Sequence, residues 1–460
     1  MPLVAGVDSS TQSVKVVIRD ADSGELIAQA SEPHPDGTEV DPKAWEDALG
    51  KALAKVAKFK FDAISIAGQQ HGMVALDNGG EVIRKALLWN DTRSAKAAED
   101  LNQEIPDIHR RTGSRLVASF TASKVRWLFD AEAENANRLA AVALPHDWIS
   151  WRLTGSKDLG QLFTDRSDAS GTGYFNPETN NYDLEIMKII TRSNQDFQVP
   201  KVLEPNEVGG ETRDGIPIAA GAGDNAAAAL GLGAKVGDLV ISLGTSGTAF
   251  AVSAKPTKDS SGEVAGFADA TGNFLPLACT LNAAKVFASV ARLLNVSLEE
   301  FGALALNAKA GAGGIRLLPH FDGERTPNRP NARGNYLGIT NENLTRENLA
   351  RAAIEGVIAG MVYAANSLKR EGFSPNRILL IGGAAKNKAV QEIAAPMFAS
   401  RVYLPNAGEY VADGAAKQAA WALSGKKEIP NWKREKLETI QPKDSDQELI
   451  SNYFDLICKV

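Results

Sequence analysis

Cysteine is nearly absent: Cys279 and Cys458 are the only two in 460 residues. So few thiols exclude a disulfide scaffold and a cysteine-built zinc site. Long apolar runs are missing too. None reaches the ~18 residues of a membrane span, and the first residues show no signal-peptide pattern. A reducing cytoplasm is therefore the expected location, with no membrane partner. A basic excess is also lacking: Lys and Arg number 50 against 56 Asp and Glu, for a net charge of −6 without a basic block. That argues against nucleic acid as a partner. The rest is ordinary for a globular protein, 44% hydrophobic and 23% charged. At this length one core does not suffice, so two domains are expected.

The chain opens on apolar Leu3-Val4-Ala5-Gly6-Val7, then Val14-Lys15-Val16-Val17-Ile18, then a turn into Glu25-Leu26-Ile27-Ala28. This reads as a β-meander. Asp41-Pro42 has the form of a helix start, Asp as cap and Pro in the first turn. The run Ala63-Ile64-Ser65-Ile66-Ala67-Gly68 is a buried strand ending in Gln69-Gln70-His71-Gly72. The stretch 90–215 is less regular, with helices expected near 92–103, 121–131 and 146–153 and a polar, glycine-containing loop at 164–173. Next comes a short apolar strand at 216–220 and the helix-forming run Ala226-Ala227-Ala228-Ala229. Asp224 stands at their junction, where α/β folds present catalytic groups; an N-cap is the competing role.

Past this point the opening pattern recurs. The strand Asp238-Leu239-Val240-Ile241-Ser242-Leu243 is followed by Gly244-Thr245-Ser246-Gly247 and a second strand. Thr245 falls over Thr11, 234 positions on (245 − 11), about half the chain, which reads as a duplicated domain. Asp8 then falls over Ser242, so one copy alone keeps the carboxylate. Beyond lie helices near 282–294 and 347–371 and the strand 377–381, which runs into Gly382-Gly383-Ala384-Ala385-Lys386-Asn387. A last strand at 401–404, a helix at 410–423, a charged linker at 425–445 and an amphipathic tail with Leu449, Tyr453, Phe454 and Ile457 complete the chain.

Two hairpin loops, Ser9-Ser10-Thr11 and Gly244-Thr245-Ser246-Gly247, offer main-chain N–H groups and hydroxyls to anionic oxygens. Either alone reads equally as a plain turn; as matched copies they form a pair of clamps on a polyphosphate. Asp8 ends its strand beside the first clamp, which suits Mg²⁺ held largely through water; hydrogen bonding to the turn is the alternative. Lys15 either neutralises phosphate or caps the strand surface. At Gly382 to Ala385 bare backbone gives a flat adenine somewhere to lie, though close helix–strand packing explains the same residues.

The combination resembles the actin/hexokinase/Hsp70 ATPase superfamily and, within it, the FGGY carbohydrate kinases. The resemblance covers about 420 residues. Ser119-Phe120-Thr121-Ala122-Ser123-Lys124-Val125-Arg126-Trp127-Leu128 is similar to the first family signature, departing where Ala131 replaces a polar residue. Gly334-Asn335-Tyr336-Leu337-Gly338-Ile339, with Asn348-Leu349 and Ala352-Ala353-Ile354-Glu355, fits the second. Gln69-Gln70-His71-Gly72, Leu88-Trp89-Asn90-Asp91, Ser167-Asp168-Ala169-Ser170-Gly171-Thr172 and Gly323-Glu324-Arg325-Thr326-Pro327 resemble the members that phosphorylate D-xylulose, although Met is more usual where Gln70 stands.

The resemblance implies an α/β fold of two ribonuclease-H-like domains with a cleft between them. It divides the chain into a sugar-side domain 1–223, a nucleotide-side domain 224–424, and a linker with a C-terminal helix at 425–460. It implies ATP and Mg²⁺ as cofactors and D-xylulose as substrate, and it allows a homodimer. It makes Asp224 the base toward the sugar's primary hydroxyl, with Gln70, His71 and Asn225 holding the sugar. Asp8 would serve the metal. Ser9, Ser10, Thr11, Gly244, Thr245 and Ser246 would serve the phosphates, and Gly382, Gly383, Ala384 and Asn387 the nucleoside. His71 as a core histidine, Trp89 as core filling or sugar platform, and Glu324 paired with Arg325 stay open. So do a kinase for ribulose, another ketose or glycerol, a non-enzymatic nucleotide switch and an inactive sugar-binding regulator.

Overall fold

The computed structural model describes residues 1–192, 195–432, 437–443 and 447–459. Strands β1 (Leu3–Ser9), β2 (Ser13–Asp20) and β3 (Leu26–Pro33) form the expected meander, and helix α1 (Lys43–Lys55) leads to β4 (Ala63–Gly68), parallel to β1. Pro42 rather than Asp41 is the residue flanking α1, while Asp41 Oδ1 accepts from Lys43 N–H at 3.0 Å. Helices α2 (Thr121–Ala131) and α3 (Pro145–Thr154) precede β5 (Val208–Glu211), β6 (Pro217–Ala219) and β7 (Ala222–Gly223). The first sheet runs β5-β6-β4-β1-β2-β3, with β7 also on β4.

Helix α4 (Asp224–Leu232) opens the second half. There follow β8 (Asp238–Leu243), β9 (Gly247–Ala251), β10 (Ala265–Ala268), β11 (Phe274–Thr280), α5 (Arg346–Arg370), β12 (Arg377–Ile381), α6 (Lys388–Met397), β13 (Val402–Leu404), α7 (Tyr410–Ser424), β14 (Glu438–Ile440) and α8 (Gln447–Lys459). The second sheet runs β10-β11-β9-β8-β12-β13-β14. Both sheets contain one motif, β3-β2-β1-β4-β6 and β11-β9-β8-β12-β13. In each the first three strands in chain order pair antiparallel and the next two join in parallel. The duplication is therefore present in the fold.

Two expectations need correction. The strand 402–404 is not the last: β14 pairs with it, Val402 opposite Ile440, inside the stretch expected to be a charged linker. Glu438 and Thr439 are exposed and Ile440 half-buried, so this edge strand lacks an apolar signal. Residues 433–436 and 444–446 of that stretch lie outside the described residues. The polar loop expected at 164–173 is instead buried along its length and contains a short helix, Arg166–Ala169. The tail does pack: Leu449, Ile450, Tyr453 and Ile457 of α8 share the core around α5.

Strand periodicity decides what faces the cleft. Alternate residues of β1 point to opposite faces. Ala5 and Val7 pack with Trp45, Leu49 and Trp148 of α1 and α3. Val4 packs with Ala412, Ala416 and Ala419 of α7. Gly6 and Asp8 share the face of Val4, so Asp8 ends its strand on the side that α7 covers. In the second sheet Leu239, Ile241 and Leu380 join the core around α5, while Val240, Phe250, Leu379 and Ile381 share a cluster with the alanines of α4. Helix α4, which follows β7 of the first sheet, thus lies against the second sheet, and α7, which follows β13 of the second sheet, lies against the first.

Helices α4 and α7 cross with their backbones nearly touching. A Cβ on Gly414 would stand 1.9 Å from Ala227 O, one on Gly231 1.9 Å from Tyr410 O, and one on Gly6 2.0 Å from Ala412 O. Gly414→Ala should therefore lower stability by about 1–3 kcal/mol through overpacking. Gly360→Ala, in α5 with nothing within 4 Å of its added methyl, should leave stability unchanged or raise it by up to ~1 kcal/mol. Urea midpoints of the two variants check this; equal midpoints would contradict the crossing geometry.

Candidate active site

The sheet order brings residues from both halves around one cavity of about 1080 Å³. That is at the upper end of small-ligand sites, which span roughly 300–1,000 Å³. Asp8 and Ser10 reach it from the first hairpin, Gly244 from the second, Asp224 and Asn225 from the start of α4, and Gly382 and Gly383 from the turn after β12. Ala385, Lys386, Gln391 and the segment 404–411 form its far wall. The β1–β2 and β8–β9 turns meet here because both occupy the same corner of equivalent sheets.

Asp8 and Asp224 face each other across this space. Burial, and then the charge of Asp8, push the Asp224 carboxyl up to about 7. Burial also lifts Asp8 to about 6 despite the hydroxyl Ser10 donates to it. Asp224 Oδ1 accepts from the main-chain N–H and the side-chain amide of Asn225, each at 2.7 Å. The flanking residue of α4 is Gly223, so Asp224 lies inside the first turn rather than capping it. Its carboxylate is free to address the cavity.

Gln70 and His71 lie behind Asp224. Gln70 packs so closely on Gly223 that a Cβ there would stand 2.8 Å from its Cγ, and its amide donates to Ser167 O at 3.1 Å. His71 adopts φ 68°, the left-handed region. Its carbonyl accepts from the Thr121 hydroxyl and the buried Lys124 ammonium, and its Nδ1–H donates to Gly171 O at 2.6 Å. Burial drives the His71 pKa down to about 3. The ring is therefore neutral and Nε2 is an acceptor, suited to a hydroxyl donor. Its face packs on Phe120 and on Phe267 of the opposite half, ring centroids 4.7 and 5.5 Å away.

Other residues are placed differently from the sequence expectation. Ser9 is buried, and its hydroxyl has no hydrogen-bond partner among the described residues. Thr11 does not line the cavity: its hydroxyl takes the Trp89 indole N–H at 2.8 Å and reaches Gln69 at 3.4 Å. Trp89 is accordingly a half-buried partner of that loop rather than core filling. Thr245 is exposed and Ser246 half-buried at the tip of the second hairpin. Asn387 caps α6, accepting from Ala389 N–H and donating to Leu298 O, and Ala384 sits in the one-turn helix before it. Lys15 is paired with Glu409 at 2.6 Å. Glu324 accepts from Leu281 N–H, the Asn282 amide and the main-chain N–H of Arg325, not from its guanidinium.

Sequence reasoning assigned no role to a second tie between the halves. Ala268 N–H of β10 donates to Ser170 Oγ at 3.0 Å. Gly266 N–H donates to Gly113 O at 3.0 Å and lies 3.1 Å from Ser114 Oγ. His146 and Phe267 carry no sequence signal of their own, since they lie in helical or apolar runs without a distinguishing pattern.

The N-terminal domain of the FGGY family of carbohydrate kinases is matched by residues 3–231, and its C-terminal domain by 239–423. The chain belongs to this family. As an FGGY carbohydrate kinase it is an enzyme, and membership implies the use of ATP. A xylulose kinase of Streptomyces coelicolor is 44% identical over 92% of this chain and 89% of its own length. The solved xylulose kinase of Bifidobacterium adolescentis superimposes with a TM-score of 0.91 at 42% identity, over 99% of both chains. A gluconate kinase of Lactobacillus acidophilus also reaches 0.91, at 25% identity, over 99% of this chain and 97% of that one. The FGGY architecture of two α/β halves is thus shared along nearly the whole molecule.

Two ionised carboxylates in one cavity cost stability, and the cost depends on pH. The folded protein holds the Asp224 proton up to about 7, whereas the unfolded chain releases it near the ordinary value of ~3.9. The penalty is therefore absent below the lower value and fully present above the higher one. Asp224→Asn keeps an Oδ1 acceptor and should stabilise the metal-free FGGY kinase by roughly 1–2 kcal/mol at pH 8, with little gain near pH 4. Denaturant titrations at the two pH values check it, and an equal gain at both would contradict the carboxylate origin.

Proposed function

We propose that this kinase transfers the γ-phosphoryl group of ATP to D-xylulose, giving ADP and D-xylulose 5-phosphate. The observation that carries the reading is the agreement among relatives: two Streptomyces xylulose kinases are 44% and 43% identical over 92% of this chain. The cavity is consistent with that chemistry. The primary hydroxyl oxygen of the sugar forms the new bond to phosphorus, the bond to the ADP oxygen breaks, and the hydroxyl proton passes to Asp224. A base of this kind contributes ~10²–10⁴-fold when its pKa lies near the working pH.

His71, Gln70 and Asn225 supply acceptors and donors without fixed charge, which suits a neutral ketose. Ser10 and Gly244 give the phosphates one contact from each half, joined in this reading by Ser9, Thr11, Thr245 and Ser246 as the loops adjust. Gly382, Gly383, Ala384 and Asn387 remain the proposed nucleoside side. Gly382 at φ 97°, where a Cβ would meet Leu243 O at 2.5 Å, keeps that wall flat.

Mg²⁺ belongs to the same reading. Asp8 offers a hard oxygen donor in the cavity, steadied by the hydrogen bond it accepts from Ser10, and such a donor fits a cation held mainly through water. The metal would neutralise phosphate charge; positioning of the sugar and proton uptake fall to the protein. The same reading divides the chain into 1–223, 224–424 and 425–460 and gives the kinase a cytoplasmic location and a homodimeric state. Among the described residues no helix is long and apolar enough to cross a membrane.

ADP release should be fastest with D-xylulose in a panel including D-ribulose, a hexulose, gluconate and glycerol. Asp224→Ala should lower kcat by about 10³-fold or more with its fold intact. Asp8→Ala should raise the Mg²⁺ requirement and leave sugar affinity within about threefold. A preference for another acceptor would replace the substrate, and a selective loss of sugar affinity in Asp8→Ala would remove it from the metal.

A further inference from the structure

The buried turn 165–171 holds the main chain leading to Asp224 directly through Ser167 and, by way of His146 of α3, at a second point. Ser167 Oγ accepts Gly223 N–H at 3.0 Å, and its own hydroxyl is bonded to the Asp165 carboxylate. His146 Nε2 lies 3.3 Å from Ala220 O, and its Nδ1 lies 2.6 Å from Asp168 Oδ2. Both partners of the ring can only accept, so both nitrogens carry protons and the imidazole is a cation. Burial favours loss of that charge, but Asp147 and Asp168 outweigh it and hold the pKa well above the usual histidine range.

Each contact with the 220–223 segment is thus backed by a carboxylate, and Ser167, His146 and Asp168 are all 0% exposed. The space around the imidazole is shaped to keep it there. A Cβ on Gly68 would stand 2.9 Å from His146 Cβ, and one on Gly221 2.3 Å from its Cδ2. His146, Asp147 and Asp168 place potential ligand atoms within 4.8 Å of one another. The direct 2.6 Å contact between His146 and Asp168 is a hydrogen bond, however, and leaves no room between them for a cation.

We propose that Ser167 and His146 are positioning residues for Asp224: they clamp Gly223 N–H and Ala220 O, and so fix the carboxylate at the start of α4 relative to the sugar. This rests on the reading of Asp224 as the base. The same turn holds the sugar-side residues by other atoms. Ser167 O takes the Gln70 amide, and Gly171 O takes the His71 ring. Base and sugar contacts therefore share one rigid reference; a side-chain change at 167 cuts the tie to the base and the hydroxyl's bond to Asp165, and leaves in place the carbonyls that take Gln70 and His71. Displacements near 1 Å at a reacting group can cost about 10²-fold in rate.

The test is Ser167→Ala in the full-length protein, with D-xylulose and ATP. Its kcat should fall roughly 10–100-fold, while the calorimetric Kd for D-xylulose and KM for ATP stay within about threefold. Single-turnover rates of Asp224→Asn should drop by less than about threefold when Ser167→Ala is added, because a positioning residue has nothing left to position. His146→Gln, with a shorter reach to Ala220 O, should show the same split and serves if Ser167→Ala does not fold. Near-normal kcat in Asp224→Asn would refute the base reading itself. An impaired Asp224→Asn beside unchanged kcat in Ser167→Ala and His146→Gln would overturn this inference alone. So would losses of kcat and sugar affinity in equal proportion, or the failure of both variants to fold, which assigns the two side chains to stability.

Discussion

The backbone-to-backbone crossing of α4 and α7 sets the geometry of everything around it. Gly231 and Gly414 allow each helix to lie against the other's carbonyls, a separation that no side chain at these positions permits. This brings the start of α4, with Asp224, beside the end of β1, with Asp8. It also brings Glu409 and the first turn of α7 alongside the β2 surface, where Lys15 pairs with Glu409 and Arg19 with Asp413, both at 2.6 Å. The cavity is the space left between two sheets whose separation those two helices fix.

Within that frame the site is organised by charges withheld from water. Asp8 and Asp224 are raised by burial, whereas His146 is kept cationic by the carboxylates around it. The cation is held between Asp168 and Ala220 O, whereas Asp8 and Asp224 line the cavity. Such a division is what a base needs. Its own carboxyl titrates near neutrality, while Ser167 and His146, which hold its backbone, are each engaged on a second side by a carboxylate.

Much of this was legible in the amino-acid order. The meander, β4, α4, β12 and the repeat at 234 positions carry strong periodic signals, and Asp8 and Asp224 stand at the ends of such elements. The turn 164–173 was not legible as buried. Its Asp, Ser and Thr residues look solvated, and their burial is possible because they satisfy one another: Asp165 takes two main-chain N–H groups, and Ser170 donates to Ser167 O. Thr11 and Asn387 show the converse. Their composition fits a binding loop, yet their side chains are committed to Trp89 and to the cap of α6, a competition that only tertiary contacts reveal. β14 escaped notice because an edge strand with one half-buried residue has no alternation to read.

The edge strand β10 has a mechanical consequence. Its N–H groups at Gly266 and Ala268 are bonded to Gly113 and Ser170 of the opposite half, well away from the helix crossing. The hold at β10 is reinforced by Arg166, which donates to Asn273 O, and by the Lys258–Glu178 ion pair, so the halves are latched on this side as well as hinged at the crossing. Any wider gape must first unlatch β10, and with it the Phe267 ring that rests on His71.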